Sequence, residues 1–391
     1  VRAGAFLYPW DVVGDPDAAA RVADLGVQQV TLASAYHSTR ALTPRHPRHR
    51  IVTAEHAAVL YPVDEARWTG RSLRPYAAGD WASTADPYGE AAAALAAAGL
   101  DVHSWVVLAH NSRLGAERPD TSVVNAYGDR YPWAPCIAQP AVRAYLTGLA
   151  AEAAVRPGTR GTELESCGWY GLAHLHAHDK TAGVELGDAA QYLMSLCFCP
   201  DCGTGYGEHG LDATALREAV RSALGPVWAT GSADAGWPSV EKLLGAEVAA
   251  ATLAWRIRAA RALQEAAVAA VRAAAPPGFQ VLLHADPSAY HCGANAGVGP
   301  RHILGVADGV VVPCAGGPQL LASFAEHRRP GGATVVAANF GIVAGLGASP
   351  ATLARDAARA AALGATELRL YHAGLASDDD LGLVRSALRR V

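Results

Sequence analysis

Residues 161–202 read GTELESCGWYGLAHLHAHDKTAGVELGDAAQYLMSLCFCPDC: a carboxylate-bearing stretch, a histidine-rich loop and a cluster of cysteines in close succession. Glu163, Glu165 and Cys167 are two apart, so in a strand they share one face. Glu165 falls near the carboxyl end of that strand, just before the turn-prone Gly168 and the aromatic pair Trp169 and Tyr170. An α/β barrel carries its chemistry at that end of its strands. The reading therefore turns on whether the stretch is one unit in a series of strand-then-helix units.

The rest of the chain supplies the series. Upstream, VRAGAFLYPW (1–10), QQVTLASAYH (28–37) and DVHSWVVLAH (101–110) read as strands, followed by helical patterns at 16–26, 90–100 and 139–154. Downstream, a helical run over 238–275 leads into FQVLLHADP (279–287). DGVVVPCAG (308–316), ATVVAANFG (333–341) and ATELRLYHAG (365–374) follow, each with a helical pattern behind it, at 317–328, 349–363 and 377–390. Eight such units predict a (β/α)₈ TIM barrel in a single domain over 1–391, with a doubly wound sheet as the alternative. The long excursions at 38–88, 111–138 and 170–237 follow strands two, three and four, so in a barrel they rise from one rim and wall a pocket.

Composition narrows the function. The chain has 391 residues, 51% of them hydrophobic, and a formal charge of −4 without basic runs. That balance argues against a nucleic-acid partner, and no apolar segment reaches the length of a membrane span. A small-molecule ligand is expected, and a homo-oligomer is compatible with the sequence. Seven cysteines, three of them between 197 and 202, do not read as a secreted disulfide framework. The amino terminus has no positive region followed by an apolar run and a cleavage site, so the expected setting is cytoplasmic.

Glu165 is the first choice for a catalytic acid or base, since a carboxyl group in an aromatic-lined pocket can donate and accept protons near neutrality. Glu163, one pair of residues deeper, reads instead as an interior glutamate with an arginine partner, because Glu367 and Arg369 alternate in the same way on strand eight. Asp286, ending strand five in HADP, is the candidate second carboxylate, with a turn-capping role before Pro287 as the alternative. His37, His110, Asn111 and Tyr371 at strand ends could meet substrate hydroxyls, and Trp10, Trp105 and Trp169 could stack on sugar faces. GVGPRH (297–302) lacks the lysine and the strand-to-helix setting of a phosphate loop and is set aside.

Two metal signals are present. Cys197, Cys199 and Cys202 form C-x-C-x-x-C, three thiolates suited to a structural zinc; Cys136 in PWAPCIAQP is the preferred fourth ligand, with Cys167 and the loop histidines in reserve. His174, His176 and His178 alternate in HLHAHD and could converge on a catalytic metal, or simply hydrogen-bond neighbouring loops. No organic cofactor is expected.

A cysteine after strand three, a glutamate ending strand four and then C-x-C-x-x-C resemble the zinc-bearing family-42 β-galactosidases. That resemblance implies Cys136, Cys197, Cys199 and Cys202 as zinc ligands and Glu165 as the acid/base. AYHSTRALTPRHP (35–47), AHNSRLG (109–115), PCIAQPAVRAYL (135–146) and LESCGWYGLAHLHAHDK (164–180) resemble uncharacterised glycoside-hydrolase-like barrels. Family 42 ends strand seven on a nucleophilic glutamate, whereas this chain offers Asn339 there. The expected function is therefore a glycoside-hydrolase-like enzyme acting on a carbohydrate or glycosylated small molecule, with Glu165 and Asp286 as its carboxylates. A metal-dependent hydrolase, lyase or isomerase using the histidine loop and a non-catalytic carbohydrate-binding barrel are the alternatives.

Overall fold

The computed structural model describes residues 1–175, 179–329, 331 and 334–391. Eight strands form its centre: β1 (Arg2–Leu7), β2 (Gln29–Tyr36), β3 (Asp101–Val107), β4 (Thr159–Glu165), β5 (Gln280–Asp286), β6 (Gly309–Pro313), β7 (Val335–Gly341) and β8 (Glu367–Tyr371). Each pairs in parallel with the next, and β1 pairs with both β2 and β8. That double pairing closes the sheet into an α/β barrel and removes the doubly wound alternative.

A closed parallel sheet lies between helices outside and side chains inside, so its strands are apolar on both faces. All eight residues of β2 are buried. Val30 and Leu32 point outward to the layer under the helices, while Ala33 joins Phe6, Tyr8 and Trp105 inside the barrel. Leu282, Val311, Val335 and Ala337 form a separate interior cluster.

The excursions have internal order. After β2 comes the hairpin Thr39–Leu42 with Ile51–Ala54, and after β3 the hairpin Ser122–Val124 with Arg130–Pro135. The excursion after β4 holds three helices that sequence periodicity does not bring out: Asp188–Met194, Pro200–Glu208 and Ala213–Thr230. The first two are short and the second carries three glycines, so intrinsic propensity is weak and packing decides. Gly205 lets the Trp255 ring lie against that helix, since a Cβ there would come within 2.3 Å of it. The run expected as one helix over 238–275 is two, Trp237–Leu244 and Ala246–Ala274, parted at Gly245 with φ +83°. Residues 297–302, set aside for lack of a strand-to-helix setting, do pass from a two-residue strand at β5 into the short helix Pro300–Val306. No described helix is long and apolar enough to cross a membrane.

Candidate active site

At the carboxyl ends of the strands lies a cavity of about 640 Å³. Its lining draws on nearly every strand end: Tyr8 after β1, Tyr36 on β2, Trp105 on β3, Glu165 on β4, His284 on β5, Asn339 on β7 and Tyr371 on β8. The hairpin after β2 adds Thr39 to Leu42, and the loop after β5 adds Ala294 and Asn295. Among the described residues lining it, Glu165 is the one carboxylate.

Glu165 is held from two sides. The Trp105 indole N–H donates to its Oε2 at 2.7 Å, and His284 Nδ1 lies 3.9 Å from the same oxygen. Its side chain keeps 12% exposure, so the group is sheltered yet reachable. Two residues deeper, Glu163 is fully buried; Arg369 Nε donates to its Oε1 at 2.5 Å and Gln29 Nε2 at 3.3 Å, while His284 Nε2 lies 3.5 Å from Oε2. Burial alone would raise Glu163, but the Arg369 guanidinium and neighbouring His284 outweigh it and hold the carboxyl at about 2. Glu163 is thus a fixed anion under the cavity, as its spacing against Arg369 suggests. His284 stands between the two glutamates.

Tyrosines make up much of the wall. Tyr8 Oη donates to Tyr36 Oη at 3.0 Å, and the Tyr8 ring stacks on His372 at 4.3 Å. Burial, with mutual repulsion between would-be phenolates, pushes Tyr8 and Tyr36 well above 10. Burial and then the Glu165 charge raise Tyr371 as well. These three phenols stay protonated and act as donors. His37 also lines the cavity; its ring stacks on Tyr36 at 4.2 Å, and burial lowers it from 6.5. Asn295 and Asn339 each carry a solvent-inaccessible Oδ1 with no donor in the protein.

Of the residues expected at the site, Glu165, His37, Trp105 and Tyr371 meet in this cavity. Asp286 does not line it: its Oδ1 accepts the Ser288 amide at 2.8 Å, the turn-capping alternative, and its Oδ2 lies 4.0 Å from His291. Trp10 sits in the turn Pro9–Asp11 and stacks on Tyr8 at 4.6 Å, outside the lining. Asn111 caps the helix Ser112–Glu117 by accepting the Leu114 amide, and His110 packs between His37 and Tyr170. Trp169 donates its indole N–H to Arg256 O at 2.9 Å and lies under the Arg256 guanidinium. Of the histidine loop, His174 lines the cavity with its ring 5.7 Å from that of His110; His176 and His178 lie outside the described residues.

No family model and no curated protein matches the sequence. Solved structures do match the fold. α-L-Fucosidase isoenzyme 2 from Paenibacillus thiaminolyticus superposes with TM-score 0.60 at 12% identity, over 100% of this chain and 49% of that one. The glycoside hydrolase domain of PgaB (BpsB) from Bordetella bronchiseptica gives 0.55 at 15% identity, over 99% of both chains. A GH42 β-galactosidase from G. stearothermophilus gives 0.55 at 11%, over 100% of this chain and 56% of that one. The likeness is one of fold: the chain shares its (β/α)₈ barrel with these solved structures. It spans about half the length of the fucosidase and of the galactosidase.

The barrel carries a second built feature among its excursions. Cys136, at the end of the hairpin after β3, meets Cys197, Cys199 and Cys202 from the excursion after β4, all four buried and with every sulfur within 4.8 Å of the others. Cys136 Sγ is 3.6 Å from Cys199 Sγ and 3.7 Å from Cys202 Sγ. Four thiolates bound tetrahedrally at the Zn–S distance of about 2.3 Å would stand about 3.8 Å apart, so the donor set fits a metal ion of that kind. Among the described residues this is the one such cluster, and Cys167 is no part of it.

Proposed function

We propose that the chain hydrolyses glycosidic bonds, with Glu165 as the general acid and base. The observation that carries this reading is a lone carboxylate in an aromatic-walled cavity at the carboxyl rim of a glycoside-hydrolase-like barrel. The Trp105 bond occupies Oε2 and leaves Oε1 to exchange a proton with the glycosidic oxygen. Trp105, Tyr8 and Tyr36 offer ring surface to a pyranose, and the protonated phenols and His37 offer hydrogen-bonding groups to its hydroxyls. The ligand is a carbohydrate or glycosylated small molecule.

Cys136, Cys197, Cys199 and Cys202 hold a structural zinc in this reading, since four buried thiols leave no open coordination position and stand apart from Glu165 in the lining. The ion would fasten the excursion after β3 to the one after β4.

The test is turnover by the purified protein across a panel of aryl glycosides varied in sugar, anomer and C2 substituent. Hydrolysis of at least one is expected. Sugar binding with no turnover anywhere in the panel would favour a non-catalytic barrel, which the absence of a second carboxylate among the described lining residues also suits.

A further inference from the structure

A glycosidase with two carboxylates holds them about 5–5.5 Å apart to retain the anomeric configuration, or about 6.5–9.5 Å apart to invert it. In this cavity the second one has no source among the described residues. Glu163 lies beneath the floor, fully buried and locked to Arg369. Asp286 is bonded to the Ser288 amide, and Asp11 lines a different, much smaller cavity. The strand-seven position that a nucleophile would occupy carries Asn339. A tyrosinate does not fill the gap either, because burial and the negative charge of Glu165 both work against ionising Tyr36 or Tyr371.

What remains is a nucleophile brought by the substrate. We infer that the cavity takes 2-acetamido-2-deoxy glycosides, whose own acetamido oxygen attacks the anomeric carbon while Glu165 protonates the departing oxygen. This rests on the glycosidase reading above and names its substrate class. The C1–O bond to the aglycone breaks as the bond from the acetamido oxygen to C1 forms, giving an oxazolinium ion and a neutral alcohol. Water then adds at C1 from the vacated face, gives its proton to the Glu165 carboxylate, and the C1–O bond of the ring opens to restore the acetamide. No other reactant is needed, and the configuration is retained.

The chain's own residues suit this. Side-chain amides stand ready to meet the acetamido group, since Asn339 and Asn295 both line the cavity. The acetamide oxygen must be steered to C1, and Tyr371, uncharged beside Glu165, supplies a hydroxyl donor at the end of β8. The rings of Trp105 and Tyr371, edge-on to each other in the lining, give the acetamide methyl an apolar wall. A 2-hydroxy sugar would provide no such nucleophile.

The experiment compares kcat/KM for 4-nitrophenyl 2-acetamido-2-deoxy-β-D-glucoside and -galactoside with that for the 2-hydroxy β-glucoside and β-galactoside. It then follows kcat along the N-acetyl, N-fluoroacetyl, N-difluoroacetyl and N-trifluoroacetyl series. An acetamido preference of about a hundredfold or more is expected, since removing a well-placed intramolecular nucleophile costs at least that much, together with a steady fall in kcat as fluorine withdraws electrons from the attacking oxygen. Equal rates on 2-hydroxy sugars, or a kcat indifferent to fluorination, would overturn the substrate class and leave the glycosidase reading standing. No turnover of either class, or of any glycoside in the wider panel, would overturn both.

Discussion

The indole nitrogen of Trp105 donates a 2.7 Å hydrogen bond to Oε2 of Glu165, fixing a carboxylate on β4 from the neighbouring strand β3. The two strands are in register with Trp105 opposite Glu163 and Val107 opposite Glu165, so the indole reaches up one residue pair to meet the carboxylate at the rim. Orientation of the proton-transferring group is thus supplied by the barrel itself and not by a loop.

Trp105→Phe keeps the ring surface and deletes this bond. Leaving a charged acceptor without its donor costs about 1–3 kcal/mol, so kcat should fall by about tenfold to a hundredfold with KM changed far less. An unchanged kcat would show that the indole serves packing alone.

Below the cavity, the Glu163–Arg369 pair has no exposed surface on either side chain. Arg369→Leu would strand a buried carboxylate and should destabilise the chain by about 3–5 kcal/mol in urea unfolding. Adding Glu163→Leu to the same chain should recover much of that loss, because the cost lies in the unpaired charge. Failure of the second replacement to recover any of it would point to shape and not charge as the role of the pair.

Acid should weaken the fold in two stages. Burial holds His103 and His372 at about 3 and His110 at about 2, against 6.5 for a free histidine. Below pH 6.5 the unfolded chain therefore binds protons that the native chain refuses, and each such histidine removes up to about 1.4 kcal/mol of stability per pH unit. Glu163, held at about 2 against 4.5, adds its loss as pH falls from 4.5 towards 2. Unfolding free energies measured at pH 7, 6 and 5 should decline steadily; a flat profile would mean that these imidazoles are not buried in neutral form.

Elemental analysis should find one zinc per chain, lost on Cys199→Ser. Without it, proteolysis should open the excursions at 111–138 and 170–237 first, while the strand signature of the barrel persists. A metal-free protein with the same melting temperature and the same cleavage pattern would reduce the four cysteines to packed thiols.

Much of this was legible in the linear chain wherever the determinants are local. The parity of Glu163 and Glu165 follows from an unbroken strand, and the grouping of Cys197, Cys199 and Cys202 from their spacing. Tyr36 was not legible, because β2 shifts register between Ala33 and Ala35 and so turns an even-numbered residue inward on a strand whose odd positions face the interior. Tyr8 was masked by Trp10: the turn at Pro9–Asp11 carries Trp10 out of the lining and leaves Tyr8 at the rim. Asn111 and Asp286 resemble site residues in sequence but spend their side chains on backbone amides two or three residues on. Trp169 answers to Arg256, 87 residues away, a pairing that no local pattern announces.

The most direct test of the account is Glu165→Gln on the glycoside that the parent protein hydrolyses fastest. The replacement keeps the shape of the side chain and an acceptor for the Trp105 N–H, and removes the transferable proton. With the melting temperature unchanged, kcat/KM should fall by about 10²–10⁴-fold, most steeply for glycosides with poor leaving groups. Turnover within a fewfold of the parent would contradict the assignment of Glu165 as the acid and base of this barrel.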